Sequence, residues 1–257
     1  MGPAYLPDAG VTIVVAPFQA LEKNIISRCQ EKGIDYIKWV YGESRYTSIV
    51  VVSADRAASE QFMTYALKLN RPERKLLRRV FIDEGHLTFT VSDYRSKLNH
   101  LNHLRVLNCP MVILTAILPP VSVTELIDVM RISNPVIIRA CTARLNIRYI
   151  VQRYKAGSSI KVACEIAQRR RIGSERGIFY YWSRDLAEEL ADALRASGFS
   201  NCQYYHSTSD SKDEVTEEWL KKEGFLTATR ALGTGVDFPG VVYIVYIGIP
   251  YRLIDFI

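Results

Sequence analysis

The sequence predicts an α/β chain built as two successive units, each a mostly parallel β-sheet flanked by helices. Three observations predict it. Short β-branched runs alternate with helical patterns along nearly the whole length. The rhythm breaks once, near Cys141 to Asn146, and then restarts. Hydrophobic residues make up 48% of the 257 residues, enough to bury a sizeable core and too many for wholesale disorder.

The elements follow in order. "VTIVVAP" is a β-branched strand run. "FQALEKNIISRCQEKG" follows it, with Phe18, Leu21, Ile25 and Ile26 at helical spacing and Gly33 as a stop. "SIVVVSA" is a second strand, "SEQFMTYALKLN" a helix and "RRVFIDE" a third strand. "HLNHLRVL" reads as helical and "MVILTAI" as a strand. In the second half "GIFYYWS" is a strand, and "RDLAEELADALRASG" is a helix ending at Gly198. "CQYYHS" is a strand, "KDEVTEEWLKKEG" a helix, and "FLTATRA" and "VVYIVYIGIP" the last two strands. No low-complexity segment and no short-period repeat stands out.

Composition narrows the function classes. A formal charge of +6 tilts the chain towards acidic partners such as nucleic acid. The basic clusters "RPERKLLRR" and "QRRRIGSER" either face phosphates or, as charge runs more often do, face water. The five cysteines are scattered, with no C-x-x-C pair and no Cys/His spacing for zinc, as expected of free thiols in a reducing compartment. "MGPAYLPDAG" does not read as a signal peptide. The longest apolar run, "VVYIVYIGIP", is shorter than the roughly 20 residues that span a bilayer. The expectation is a soluble intracellular protein with no membrane partner.

One stretch carries chemistry. The apolar run Val80-Phe81-Ile82 ends abruptly in Asp83-Glu84-Gly85-His86. Buried carboxylates are costly unless they meet a cation or hydrogen-bond donors. Strands of parallel sheets point their carboxyl ends at the ligand crevice. There an aspartate can hold hydrated Mg²⁺, and a neighbouring glutamate can orient and deprotonate a water. The alternative is a solvated loop whose acid caps the next helix.

The order of motifs adds a resemblance. "VVAPFQAL", "FIDEGH", "LTAILPP", "GIFYYWSR" and "TATRALGTGVDFP" occur in the sequence and spacing of superfamily 2 helicases. More closely, the chain resembles the RecQ family of DNA helicases over nearly its whole length. The acidic box is "DEGH", and the third motif is Thr115-Ala116-Ile117. "NIRY" (Asn146 to Tyr149) matches the opening of the second lobe, and "YYHS" resembles the tyrosine-histidine strand.

The resemblance implies two tandem RecA-like lobes, residues 1–143 and 144–257, each incomplete at the outer end. It implies ATP and Mg²⁺ as cofactors, single-stranded or forked DNA as partner, and 3′-to-5′ unwinding in repair or recombination. It implies a nuclear location, or the nucleoid in a prokaryote. Asp83 would hold Mg²⁺, Glu84 would activate the hydrolytic water, and His86 and Thr115 would couple the nucleotide site to the DNA track. Gly233, Gly235 and Asp237 would lie at the cleft between lobes; for the glycines a tight turn is the alternative. Pro17, Gln19, Ser183, Arg184 and Thr229 would approach the strand's backbone. Alternatively, Pro17 simply ends a strand and Arg184 is a surface charge at a helix start.

The sequence also departs from the family pattern. No G-x-x-x-x-G-K-[ST] phosphate loop occurs, and the chain ends at "PYRLIDFI", where the arginine-finger motif is expected to begin. Gly85 replaces Ala or Cys, which is expected to loosen the local backbone. Ile117 replaces a threonine, and "HLTFTVSDYRSKL" carries Phe89 and Tyr94 where the family has a longer loop with tryptophan. An arginine finger is worth about 10³–10⁵ in turnover. This chain alone is therefore expected to hydrolyse ATP negligibly. Two other readings remain: a helicase-derived module that binds single strands without ATP, and part of a DExH RNA helicase. A doubly wound metabolic enzyme is disfavoured, since no G-x-G-x-x-G follows a strand.

Overall fold

The computed structural model describes residues 10–17, 19–73, 75–87, 96–116, 118–141, 144–169, 176–205, 212–222, 224–229, 232 and 238–248. The chain divides into two compact units, Met1–Ala143 and Arg144–Ile257.

The first unit holds strands β1 (Val11–Ala16), β2 (Tyr36–Lys38), β3 (Ile49–Ser53), β4 (Leu77–Ile82) and β5 (Met111–Ile113). They form one sheet in the order β2-β3-β1-β4-β5, and every pairing is parallel. Parallel neighbours need crossover connections, so helices cover the sheet and its strands are buried on both faces. That is why "IVVVS" reads as a continuous apolar run rather than an alternating one. Val50 and Val52 join Ile13, Val15, Phe62, Val80 and Ile82 in the larger core; Ile49 and Val51 join Cys29 and Ile34 in a second cluster. The helices are α1 (Gln19–Glu31), α2 (Ala54–Ala57), α3 (Glu60–Leu69) and α4 (Val123–Val129). At the start of α3 the Ser59 hydroxyl accepts the Phe62 N–H, so a capping side chain sets that boundary. Strand β2 went unread in the sequence because three residues make too short a run to show a period; its register is supplied by β3.

"HLNHLRVL" is helical, but of the tighter 3₁₀ kind, spanning Ser96–Leu107. Such runs are usually three or four residues long. The reason for the exception is a repeat that the sequence reading overlooked: Asn99-His100-Leu101, Asn102-His103-Leu104, Arg105-Val106-Leu107. At three residues per turn, Leu101, Leu104 and Leu107 stack in one column, and all three are buried in the main core. An α-helix, at 3.6 residues per turn, would rotate that column away from the sheet.

The second unit holds β6 (Arg176–Tyr181), β7 (Gln203–Tyr205), β8 (Gly224–Ala228) and β9 (Val241–Ile247), in the order β7-β8-β6-β9 and again all parallel. Its helices are α5 (Ser159–Arg169), α6 (Arg184–Ala196) and α7 (Lys212–Lys222). Helix α6 buries Ala187, Leu190, Ala191 and Leu194 at helical spacing and ends before Gly198, whose φ is +96°. The Trp219 ring is fully buried, and its indole N–H donates to the Gly224 carbonyl at 3.1 Å. Residues 144–158, including "NIRY", form no strand or helix. Both sheets with their flanking helices form the α/β, RecA-like architecture that the sequence predicts.

Removing the Leu190 side chain leaves a cavity under β6. Leu190→Ala is expected to destabilise the chain by about 2–5 kcal/mol in denaturant unfolding; a loss below about 1 kcal/mol contradicts this packing.

Candidate functional site

Because the first sheet is wholly parallel, the carboxyl ends of its strands share one edge. Pro17 leaves β1 there, Asp83 leaves β4, and Leu114 and Thr115 leave β5. The acidic turn is tied down by backbone bonds on both sides. The Asp83 N–H donates to the Val15 carbonyl at 3.1 Å, and the Gly85 N–H donates to the Leu114 carbonyl at 2.9 Å. The Leu87 N–H then closes the turn on the Glu84 carbonyl at 3.0 Å.

Gly85 has a steric role besides any backbone freedom it brings. A Cβ built at this position would lie 2.1 Å from Ile113 Cγ2. The glycine therefore marks a close approach of the turn to β5. Glu84 itself sits at φ +49°, a left-handed conformation that side chains seldom adopt. Such strain is held where surrounding structure over-determines it, and functional sites are where it collects.

The side chains converge. The Asp83 carboxylate accepts the Glu84 N–H at 2.9 Å. A carboxylate offers about four lone-pair sites, so one such bond is compatible with a hydrated cation. His86 is buried, and its Nδ1 shares a hydrogen bond with the Thr115 hydroxyl at 2.9 Å. Glu84 Oε2 lies 3.4 Å from the same nitrogen and makes no hydrogen bond. Burial, reinforced by the Asp83 charge, holds the Glu84 pKa above the usual carboxylate range. Burial also holds the His86 imidazole below its ordinary value. The 3.4 Å approach is thus no full ion pair at neutral pH, and the threonine contact is the stronger one. A half-buried carboxyl with a raised pKa beside a second acid marks a candidate functional site.

The structure therefore brings Asp83, Glu84, His86 and Thr115 together. Half-buried Pro17 and exposed Gln19, the first residue of α1, stand at the same sheet edge. Ser183, Arg184 and Thr229 belong to the second unit, at the carboxyl edge of its sheet after β6 and β8. Ser183 caps α6 by accepting the Leu186 N–H at 3.5 Å, and Arg184 is exposed. The Thr229 carbonyl accepts the Leu232 N–H at 3.2 Å. Gly233, Gly235 and Asp237 lie outside the described residues, as do Phe89, Tyr94 and Ile117. Sequence reasoning missed Ile113, the residue that demands a glycine opposite it; no pattern in the sequence links the two positions.

Each unit carries a wholly parallel sheet, and the first has an acid pair at its carboxyl edge. Residues 158–257 match the helicase conserved C-terminal domain. Over 262 residues the sequence is 26% identical to the RecQ-like DNA helicase BLM of Xenopus laevis, covering 94% of this chain and 19% of that protein. It is 28% identical to the ATP-dependent DNA helicase Q-like 2 of Arabidopsis thaliana, covering 92% of this chain and 37% of that protein. The fold matches the DUF1998 helicase MrfA bound to DNA and AMPPNP with a TM-score of 0.67 and 17% identity, covering 97% of this chain and 39% of that one. The chain is thus similar in sequence to RecQ-like DNA helicases over more than nine-tenths of its length. It spans well under half the length of the curated relatives described here. No helix among the described residues is long and apolar enough to cross a membrane.

Gly85→Ala is expected to lower stability by about 1–3 kcal/mol through overpacking on Ile113. The double variant with Ile113→Ala should lose less than the sum of the single losses; strict additivity in a double-mutant cycle contradicts the contact.

The raised Glu84 pKa means that its neutral form is favoured in the fold. That stabilisation is complete below the unfolded carboxylate pKa and is lost as pH rises through the higher folded value. Glu84→Gln should therefore be more stable than the parent at pH 7, with the gap closing below about pH 4. Thermal melts across that range check the sign.

Proposed function

We propose that this chain carries the core of an ATP-dependent, 3′-to-5′ DNA helicase, and that these 257 residues alone turn over ATP negligibly. The observation that carries the reading is the His86–Thr115 hydrogen bond, which ties the acidic turn after β4 to the segment after β5. The donor set fits a magnesium nucleotide: an aspartate at a strand end, a strained glutamate with raised pKa, and a neutral histidine. Bound Mg²⁺ would supply charge neutralisation at the transferred phosphoryl group. Asp83 would hold the hydrated ion, and Glu84 would accept the proton of the attacking water at its carboxylate. His86 would pass the resulting shift to Thr115 and so to the segment leading out of β5. Pro17, Gln19, Ser183, Arg184 and Thr229 would lie along the DNA strand, and Gly233, Gly235 and Asp237 would serve the nucleotide.

One feature of the sequence supports negligible turnover. Among these 257 residues no lysine sits in a G-x-x-x-x-G-K-[ST] loop, and the backbone cradle of such a loop supplies much of the nucleotide affinity. The same observation favours a second reading, a single-strand-binding module that works without ATP. DNA is the expected nucleic acid, since the relatives are named as DNA helicases; repair or recombination in the nucleus is the setting that the family resemblance implies.

Two measurements test this. A fluorescent single-stranded oligonucleotide should bind the chain at low salt, with affinity falling steeply as salt rises. The absence of binding at low salt sinks the nucleic-acid reading. Phosphate release with and without DNA should stay at background; DNA-stimulated hydrolysis that Glu84→Gln abolishes would overturn the claim of negligible turnover.

A further inference from the structure

We propose that His100 and His103 form a two-histidine site for a borderline divalent cation of the zinc class, with water completing the coordination sphere. The site lies on the 3₁₀ helix Ser96–Leu107, outside the acidic turn. It rests on that helix's geometry and does not depend on the helicase reading.

The argument begins with the period-three repeat. In a 3₁₀ helix side chains three apart eclipse one another. The leucine column, Leu101, Leu104 and Leu107, is buried and fixes the helix against the sheet. The next column is His100, His103 and Val106, and all three are exposed. The repeat that anchors the helix therefore also stacks two imidazoles on its outer side. On an α-helix a three-residue spacing would leave the same rings offset by about 60° around the axis.

The separation of the two rings suits a metal. The two ring centroids are 5.4 Å apart, with planes tilted by 45°. Zinc binds histidine nitrogen at about 2.0–2.1 Å, and two imidazoles at a tetrahedral angle place their ring centres about 5 Å apart. The helix is held rigid nearby, where the Asn102 side-chain N–H donates to the Val129 carbonyl at 3.1 Å. Imidazole suits zinc, copper and nickel, whereas carboxylates suit magnesium, so this site and the acidic turn select different ions.

Among the described residues no group of three or more His, Cys, Asp or Glu side chains is placed to hold a metal. Two protein ligands are thus what the site offers, and its affinity should be micromolar, far weaker than a structural zinc site. Because the eclipsed pair exists only in the folded helix, the ion should also raise the melting temperature.

The test uses the full chain. Zinc is titrated against a chromophoric chelator in excess Mg²⁺, which occupies carboxylate sites. Cobalt absorption then reports the ligand type, since thiolate ligation adds an intense near-ultraviolet band. The expected result is one zinc per chain, no thiolate band, and a zinc-dependent rise in melting temperature. His100→Asn and His103→Asn, both at exposed positions, should each weaken binding by about tenfold or more and abolish that rise, with metal-free melting unchanged. The proposal is overturned by no zinc bound at micromolar concentrations, by equal affinity in both variants, or by a thiolate band that survives them.

Discussion

The structure depends on parallel pairing of β4 between β1 and β5. A strand flanked on both edges by parallel neighbours must be reached through crossovers, so helices cover both faces and the strand is dry. The same constraint sends every carboxyl end to one edge of the sheet. An apolar strand that terminates in Asp83 and Glu84 has no other place to put its charge. The position of the acid pair is a consequence of topology before it is a matter of chemistry.

That edge is tightly packed. The turn Asp83 to His86 is stitched to β1 through Val15 and to the end of β5 through Leu114, and it approaches β5 too closely for any side chain at position 85. Holding the turn there forces Glu84 into a left-handed conformation and takes its carboxyl partly out of water. These costs are offset by the surrounding pairing. The result is a carboxyl and an imidazole whose charged forms are both disfavoured, side by side, with a threonine hydroxyl completing the contact.

The 3₁₀ helix shows the same logic at a smaller scale. Its period-three leucines satisfy the core, and the helix accepts poorer hydrogen-bond geometry to keep them in register. What the repeat places on the outer face follows automatically. In the second unit, helix α6 instead buries an ordinary stripe at α-helical spacing, and its ends are set by Ser183 and Gly198.

The sequence by itself determined the α/β class, most of the strands and the acidic turn. β-branched runs, helical spacing and stop residues are local signals, and "VTIVVA", "IVVVS", "RGIFYY" and "VVYIVYI" carry them without help. Ser183 at the start of α6 and Gly198 beyond its end are likewise local. Tertiary structure alone decided the rest. Strand β2 exists because β3 offers it a ladder. The glycine in "DEGH" is required by Ile113, which lies 28 positions away and meets it only when β5 is laid beside β4. Local signals report what a segment can become; which neighbour it packs against is a long-range fact, fixed when the sheet forms.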